Sequence, residues 1–215
     1  GTFTIAAIVT DGTNYIEDAE VFIDMTYAYD EFGNKLEMEV EPAITNEYGV
    51  ANITLPLLAK NYDNYGGMWI TPRYTVKASK TPYSDYESDV YCTYISNLQT
   101  VERTLVLTLP MVNYIQVQDE EGENLYGDVM EGTNVVLSWD EVVGADAYRV
   151  SKLVGGEVES YETVTKTTYT IEGVLKGYQY AVSALFGELE SEKSYASLQV
   201  KGNGSFKGYV TDGTN

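Results

Sequence analysis

The sequence predicts an all-β chain of two β-sandwich domains in series. Apolar and polar residues alternate in short runs, as in half-buried strands. Turn residues separate those runs roughly every ten positions, the spacing of sandwich folds. Tyr, Thr and Val, which favour pleated surfaces, are abundant, with 20 Tyr beside 19 Gly. The 215 residues suffice for one or two cores. The nearest approach to a helical stripe, Pro56 to Lys60, is too short to stand as a helix.

In chain order, Phe3-Thr4-Ile5 opens a strand that runs to Val9, and Asp11-Gly12 turns it. Val21-Phe22-Ile23 follows, before a turn at Phe32-Gly33-Asn34. Tyr48-Gly49 turns into an alternating strand ending at Leu55-Pro56, and Gly66-Gly67 marks a loop before Tyr74-Thr75-Val76. Thr104 to Leu109 is expected to be a strand that Pro110 closes, since Pro cannot donate to a ladder. A boundary is therefore expected near Pro110 to Val112, with residues 1–111 as the first domain and 112–202 as the second. In the second, Tyr114 to Val117 opens, Glu121-Gly122 turns, and Val135, Leu137 and Trp139 alternate onto one face. Asp146 to Val150, a Gly155-Gly156 turn, Thr168 to Ile171 and Tyr178 to Ala184 supply the remaining strands, and Gly202-Asn203-Gly204 ends them.

The chain also repeats itself. Val9-Thr10-Asp11-Gly12-Thr13-Asn14 recurs 201 residues later as Val210-Thr211-Asp212-Gly213-Thr214-Asn215. Each copy follows a similar opening, Gly1-Thr2-Phe3 and Gly204-Ser205-Phe206. Repetition at a long period is the mark of a tandem array, so residues 203–215 are expected to be the first strand of a next repeat or a donor strand.

Residues 1–110 resemble the carboxypeptidase-regulatory-like domains, also described as transthyretin-like or prealbumin-like, and the related Cna-B-type modules. The resemblance rests on Val9 to Val21 as opening strand, turn and second strand, on Thr45 to Pro56 as its middle, and on Tyr74 to Lys80 with Thr104 to Leu109 as its last strands. Long insertions at Tyr27 to Glu41 and Asn61 to Pro72 depart from it. Residues 112–201 resemble a fibronectin type III domain through Val135 to Trp139, Asp146 to Val150 and Thr168 to Ala184. There Tyr180 takes the place of the corner tyrosine, whose hydroxyl ties to nearby backbone. The expected fold is thus two Ig-like/prealbumin-like sandwiches. Both resemblances imply extracellular spacer, stalk or adhesion modules without catalytic residues of their own. They imply a structural repeat of a cell-surface filament, surface layer or adhesin stalk, with an accessory module of a secreted enzyme as the alternative.

Charge and composition narrow the function classes. With 33 Asp+Glu against 13 Lys+Arg the net charge is −20, and it divides evenly between the halves. No basic face exists for nucleic acid or for an anionic membrane surface. Without His, neither a Ser-His-Asp triad nor a His-ligated metal site can be built. A single Cys, Cys92, excludes an internal disulfide and reads as a small strand side chain. No apolar run is long enough to span a membrane as a helix.

Candidate sites follow from oxygen-rich loops and aromatic clusters. Asp119, Glu121 and Glu123 form the densest acidic loop, and hard cations prefer such oxygens, so calcium is the candidate ion although no cofactor is required. Glu37, Glu39 and Glu41 alternate with Met38 and Val40 and read as a solvated face rather than as a catalytic pair, while Asn61 to Asn64, and Asp85 and Asp89 flanking a turn-like stretch, are further oxygen-rich segments for such an ion. Tyr62, Tyr65 and Trp69 gather in one loop and are candidates for an interface, or for carbohydrate. Asn52 and Asn203 head glycosylation sequons. The expected partners are neighbouring subunits or repeats, with Phe3 to Val9 as an exposed edge for strand addition and the segment after Gly204 as donor.

Overall fold

The computed structural model describes residues 1–26, 38–57, 61–62, 69–70, 73–92 and 95–202. It contains two compact units, Gly1–Leu109 and Pro110–Asn215. The described residues are strands and turns with no α-helix, so the all-β reading holds.

In the first unit, one sheet has the order β4-β1-β9, from Val50–Pro56, Thr2–Thr10 and Thr100–Val106. The other has the order β3-β2-β7-β8, from Ala43–Ile44, Glu20–Thr26, Arg73–Ser79 and Tyr86–Tyr91. β5 (Asn61–Tyr62) pairs antiparallel with β6 (Trp69–Ile70). Period-two alternation decides what is buried. Phe3, Ile5, Ala7 and Val9 point inward from β1, with Ala51, Ile53 and Leu55 from β4. They meet Val21, Ile23, Tyr74, Val76 and Val90 of the facing sheet in one core. The Phe3 and Tyr74 rings lie 5.8 Å apart across it. Thr45, a buried polar residue there, is satisfied: its hydroxyl accepts from the Ala19 amide at 2.8 Å and donates to the Ile16 carbonyl at 2.7 Å.

Two expectations change here. Phe3 to Val9 is not an edge. β1 is the middle strand, antiparallel to β4 from Thr2↔Pro56 to Ile8↔Val50 and parallel to β9 from Thr4↔Thr100 to Thr10↔Val106. Its backbone groups are spent on both sides, and no neighbour can add to it. The last strand begins earlier than expected, at Thr100, and its ladder stops at Val106. The inward alternation continues through Leu107, but the partner strand β1 has already turned at Asp11. The Leu107 amide bonds to the Thr10 carbonyl, and Thr108 then bridges to Ser84.

In the second unit, β10 (Ile115–Gln118), β12 (Val135–Trp139) and β15 (Thr168–Ile171) form one sheet in that order. The other runs β14-β13-β16-β17, from Glu157–Val164, Ala147–Val154, Tyr178–Phe186 and Leu189–Glu190, and β18 (Ser194–Tyr195) also pairs with β16. β11 (Asp128–Met130) pairs in parallel with β19 (Gln199–Lys201). Val135, Leu137 and Trp139 are buried as the alternation requires, beside Tyr148, Val150, Val182, Ala184 and Phe186. Trp139 on one sheet meets Tyr148 on the other edge-on, with centroids 5.4 Å apart. Tyr148 also ties down the loop between them, because its hydroxyl accepts the Val142 amide at 2.8 Å.

Candidate functional site

The repeated hexapeptide builds a single turn at the end of β1, and all six of its residues have a visible part in it. Val9 fills the core. The Thr10 hydroxyl donates to the Asn14 carbonyl at 2.7 Å and accepts the Gly12 amide at 3.0 Å. Asp11 accepts the amides of Thr13 and Asn14 at 2.8 and 2.7 Å, and the Asn14 side chain at 3.3 Å. Gly12 sits at φ +94°, which other residues rarely adopt. Burial alone pushes the Asp11 carboxyl up, but the hydrogen bonds from Asn14 and Thr13 outweigh it and hold the group below its ordinary value.

The sign of the pH effect follows. A carboxyl whose folded value is depressed contributes stability above its unfolded value and loses it as pH falls through the folded one. Asp11→Asn is therefore expected to cost about 1 kcal/mol at neutral pH, a figure reduced for the solvent screening of this partly exposed turn. Urea unfolding at decreasing pH should show the two proteins converging below pH 3.8, the ordinary value.

A second feature lies in the other unit. β14 and β15 are edge strands of their sheets, and a cavity of about 270 Å³ opens between them. Val150 and Lys152 line it from β13, with their register partners Glu162 and Ser160 on β14. Tyr180, the β16 partner of Lys152, and Tyr169 and Ile171 of β15 complete the wall. Burial, with the Glu162 carboxylate nearby, pushes the Tyr169 phenol up to about 12. Lys152 reaches Glu159 at 3.0 Å and lies 3.9 Å from the Tyr178 ring centre. Burial likewise raises the Tyr180 phenol, against the pull of Lys152. Glu172, Gly173 and Leu175 form the rim.

The residues singled out from sequence fare differently. Asp119, Glu121 and Glu123 do not converge. One oxygen of Asp119, Oδ1, accepts the amides of Glu121 and Glu123 at 3.1 and 2.8 Å in its own turn, while the two glutamates are exposed. Among the described residues no three acidic or thiol side chains come together to hold an ion. Tyr62 and Trp69 are register partners in the β5–β6 pair, and Tyr65 lies outside the described residues. Asn52 is exposed on the outer face of β4, and Asn203 lies outside the described residues. Glu39 and Glu41 are exposed while Met38 and Val40 pack on the core, the expected alternation without a strand; Glu37 is not among the described residues. Asp89 pairs with Arg73 at 3.2 Å and Glu87 with Lys77 at 3.6 Å, so both acids join neighbouring strands. Cys92 is buried in the core. The Tyr180 hydroxyl makes no backbone hydrogen bond among the described residues and faces the cavity instead. The cavity has no local signature in the sequence: Val150 and Lys152 share one face of β13, but β14 is exposed along nearly its whole length and shows no buried alternation.

No family model matches this chain, and no curated protein sequence matches it. Among solved structures, it is similar to a 3-chlorocatechol 1,2-dioxygenase from Rhodococcus opacus at TM-score 0.38 and 11% identity, over 51% of this chain and 60% of that one. It is similar to a DUF3823 family protein from Bacteroides ovatus at TM-score 0.31 and 10% identity, over 94% of this chain and all of that one. A streptococcal ancillary pilin gives TM-score 0.33 and 14% identity, over 94% of this chain and 62% of that one. The chain thus spans about three-fifths of the length of the dioxygenase and of the pilin. At these values none of the three assigns the chain a family or an activity.

Proposed function

We propose that this chain is a structural, non-catalytic repeat of an extracellular cell-surface assembly, a filament, surface layer or adhesin stalk. The observation that carries the reading is the recurrence, at Val210 to Asn215, of the hexapeptide whose residues build the turn after β1. The agreement extends backwards as far as Phe206; beyond it Gly204 falls on the buried Phe3 and does not match. In the register set by the hexapeptide, Phe206, Gly208 and Val210 fall on Ile5, Ala7 and Val9, three positions that face the core of the first unit. Because β1 is a middle strand, a segment of its pattern suits the start of a further copy of the first unit better than an addition to a free edge. The carboxypeptidase-regulatory-like resemblance of residues 1–111 and the fibronectin type III resemblance of 112–202 belong to the same reading.

Electron microscopy of native material, labelled with an antibody raised against these 215 residues, tests it. Label recurring at regular intervals along filaments or over a lattice is the expected result. Label on dispersed particles that carry a catalytic domain would replace the reading with that of an accessory module.

A further inference from the structure

We propose that the notch between β14 and β15 is a binding site for a single neutral sugar residue. The site has a size, a wall and a set of converging polar groups. Its volume of about 270 Å³ lies near the lower end of ligand pockets, the scale of one small ring rather than of a drug-sized molecule. Ile171, Val150 and the Tyr169 and Tyr180 rings give it apolar surface, which the C–H face of a sugar requires.

The polar groups decide the class of ligand. Lys152 brings an ammonium donor, Ser160 and Tyr180 bring hydroxyls that donate or accept, and Glu162 and Glu172 bring acceptors. A ligand with a formal positive charge would meet Lys152, and an anion would meet Glu162 and Glu172. A neutral ligand with several hydroxyls uses donors and acceptors together and opposes neither.

Lys152, Ser160 and Glu162 lie on the cavity side of two neighbouring strands, sharing the face of Val150, and Ser160 and Glu162 are exposed there, so their polar groups are open to a ligand. Tyr169 and Ile171 of β15 face Val150 and Lys152 of β13 across the cavity, so its wall is built from both sheets before any ligand arrives.

The test is an amide-resolved NMR titration of the whole 215-residue protein with D-glucose, D-galactose, D-mannose and N-acetyl-D-glucosamine. Lysine and acetate serve as the charged comparisons. At least one sugar is expected to shift the amides of Lys152, Ser160, Glu162, Glu172 and Tyr180 in a saturable way, while Phe3 to Val9 stay unmoved. Glu162→Gln keeps the side chain's size but loses the charge-assisted acceptor, and should weaken that binding about tenfold. Should that variant lose the native spectrum, Glu172→Gln, on the exposed rim, takes its place with the same expectation. The proposal is overturned if no sugar gives localised, saturable shifts, if lysine or acetate gives them and the sugars do not, or if the folded variants bind the sugar unchanged.

Discussion

Gly49→Ala is expected to destabilise the first unit by about 3–4 kcal/mol, far more than the same change at Gly12. Both glycines have positive φ, +66° and +94°, and each would cost about 1–2 kcal/mol on that account alone. Their surroundings differ. A Cβ at Gly12 would touch nothing within 4 Å, whereas one at Gly49 would sit 2.4 Å from the Val9 carbonyl oxygen and 3.1 Å from Cβ of Tyr15. The obstacle is backbone, and it cannot rotate away. That carbonyl also accepts the Ile16 amide, and the Gly49 carbonyl accepts the Val9 amide at 2.8 Å, so relief at one point strains the others. Urea unfolding followed at the amides of Ile5, Ile53 and Leu105 would give both values. Equal losses at the two glycines would show that the backbone approach at Gly49 is not the determinant.

Trp139→Ala is expected to cost the second unit about 3–5 kcal/mol. Trp139 is buried on the face of β12 and supplies the edge-on contact with Tyr148 that joins the two sheets. Removing it leaves a cavity beside a ring whose hydroxyl also fixes the Val142 amide. Trp139→Phe should cost only about 1 kcal/mol, because the indole N–H has no hydrogen-bond partner among the described residues and the smaller ring keeps most of the contact. Chemical unfolding monitored at Leu137 and Val150 separates the two. A Phe variant as damaged as the Ala variant would mean that the indole nitrogen is bonded in the folded protein.

These two sites show what a sequence reveals and what it conceals. Trp139 was legible, since Val135, Leu137 and Trp139 alternate onto one face and only that face can be buried. The turn at Tyr48-Gly49 was legible as a turn, but the closeness of Gly49 to Val9 is a contact between segments forty residues apart and has no local signature. Strand neighbours were hidden for the same reason. Nothing in Phe3 to Val9 states that β9, nearly a hundred residues away, lies beside it in parallel, and so a middle strand reads as an edge. At Asp119 composition counts oxygens but does not show that one of them accepts the amides of its own turn. β14 is exposed along nearly its whole length, so no alternation in it marks the notch.

The central claim is that residues 204–215 begin a further copy of the first unit. The most direct test appends Tyr15–Leu109 to the chain immediately after Asn215. If Gly204 to Asn215 serves as β1, the appended residues fold into a third unit, and the amides of Phe206 to Val210 become as protected from exchange as those of Ile5 to Val9. Phe206→Asp, which places a charge at the core-facing position matched to Ile5, should then abolish that third unit. Appended residues that stay unfolded behind the unaltered segment would contradict the claim.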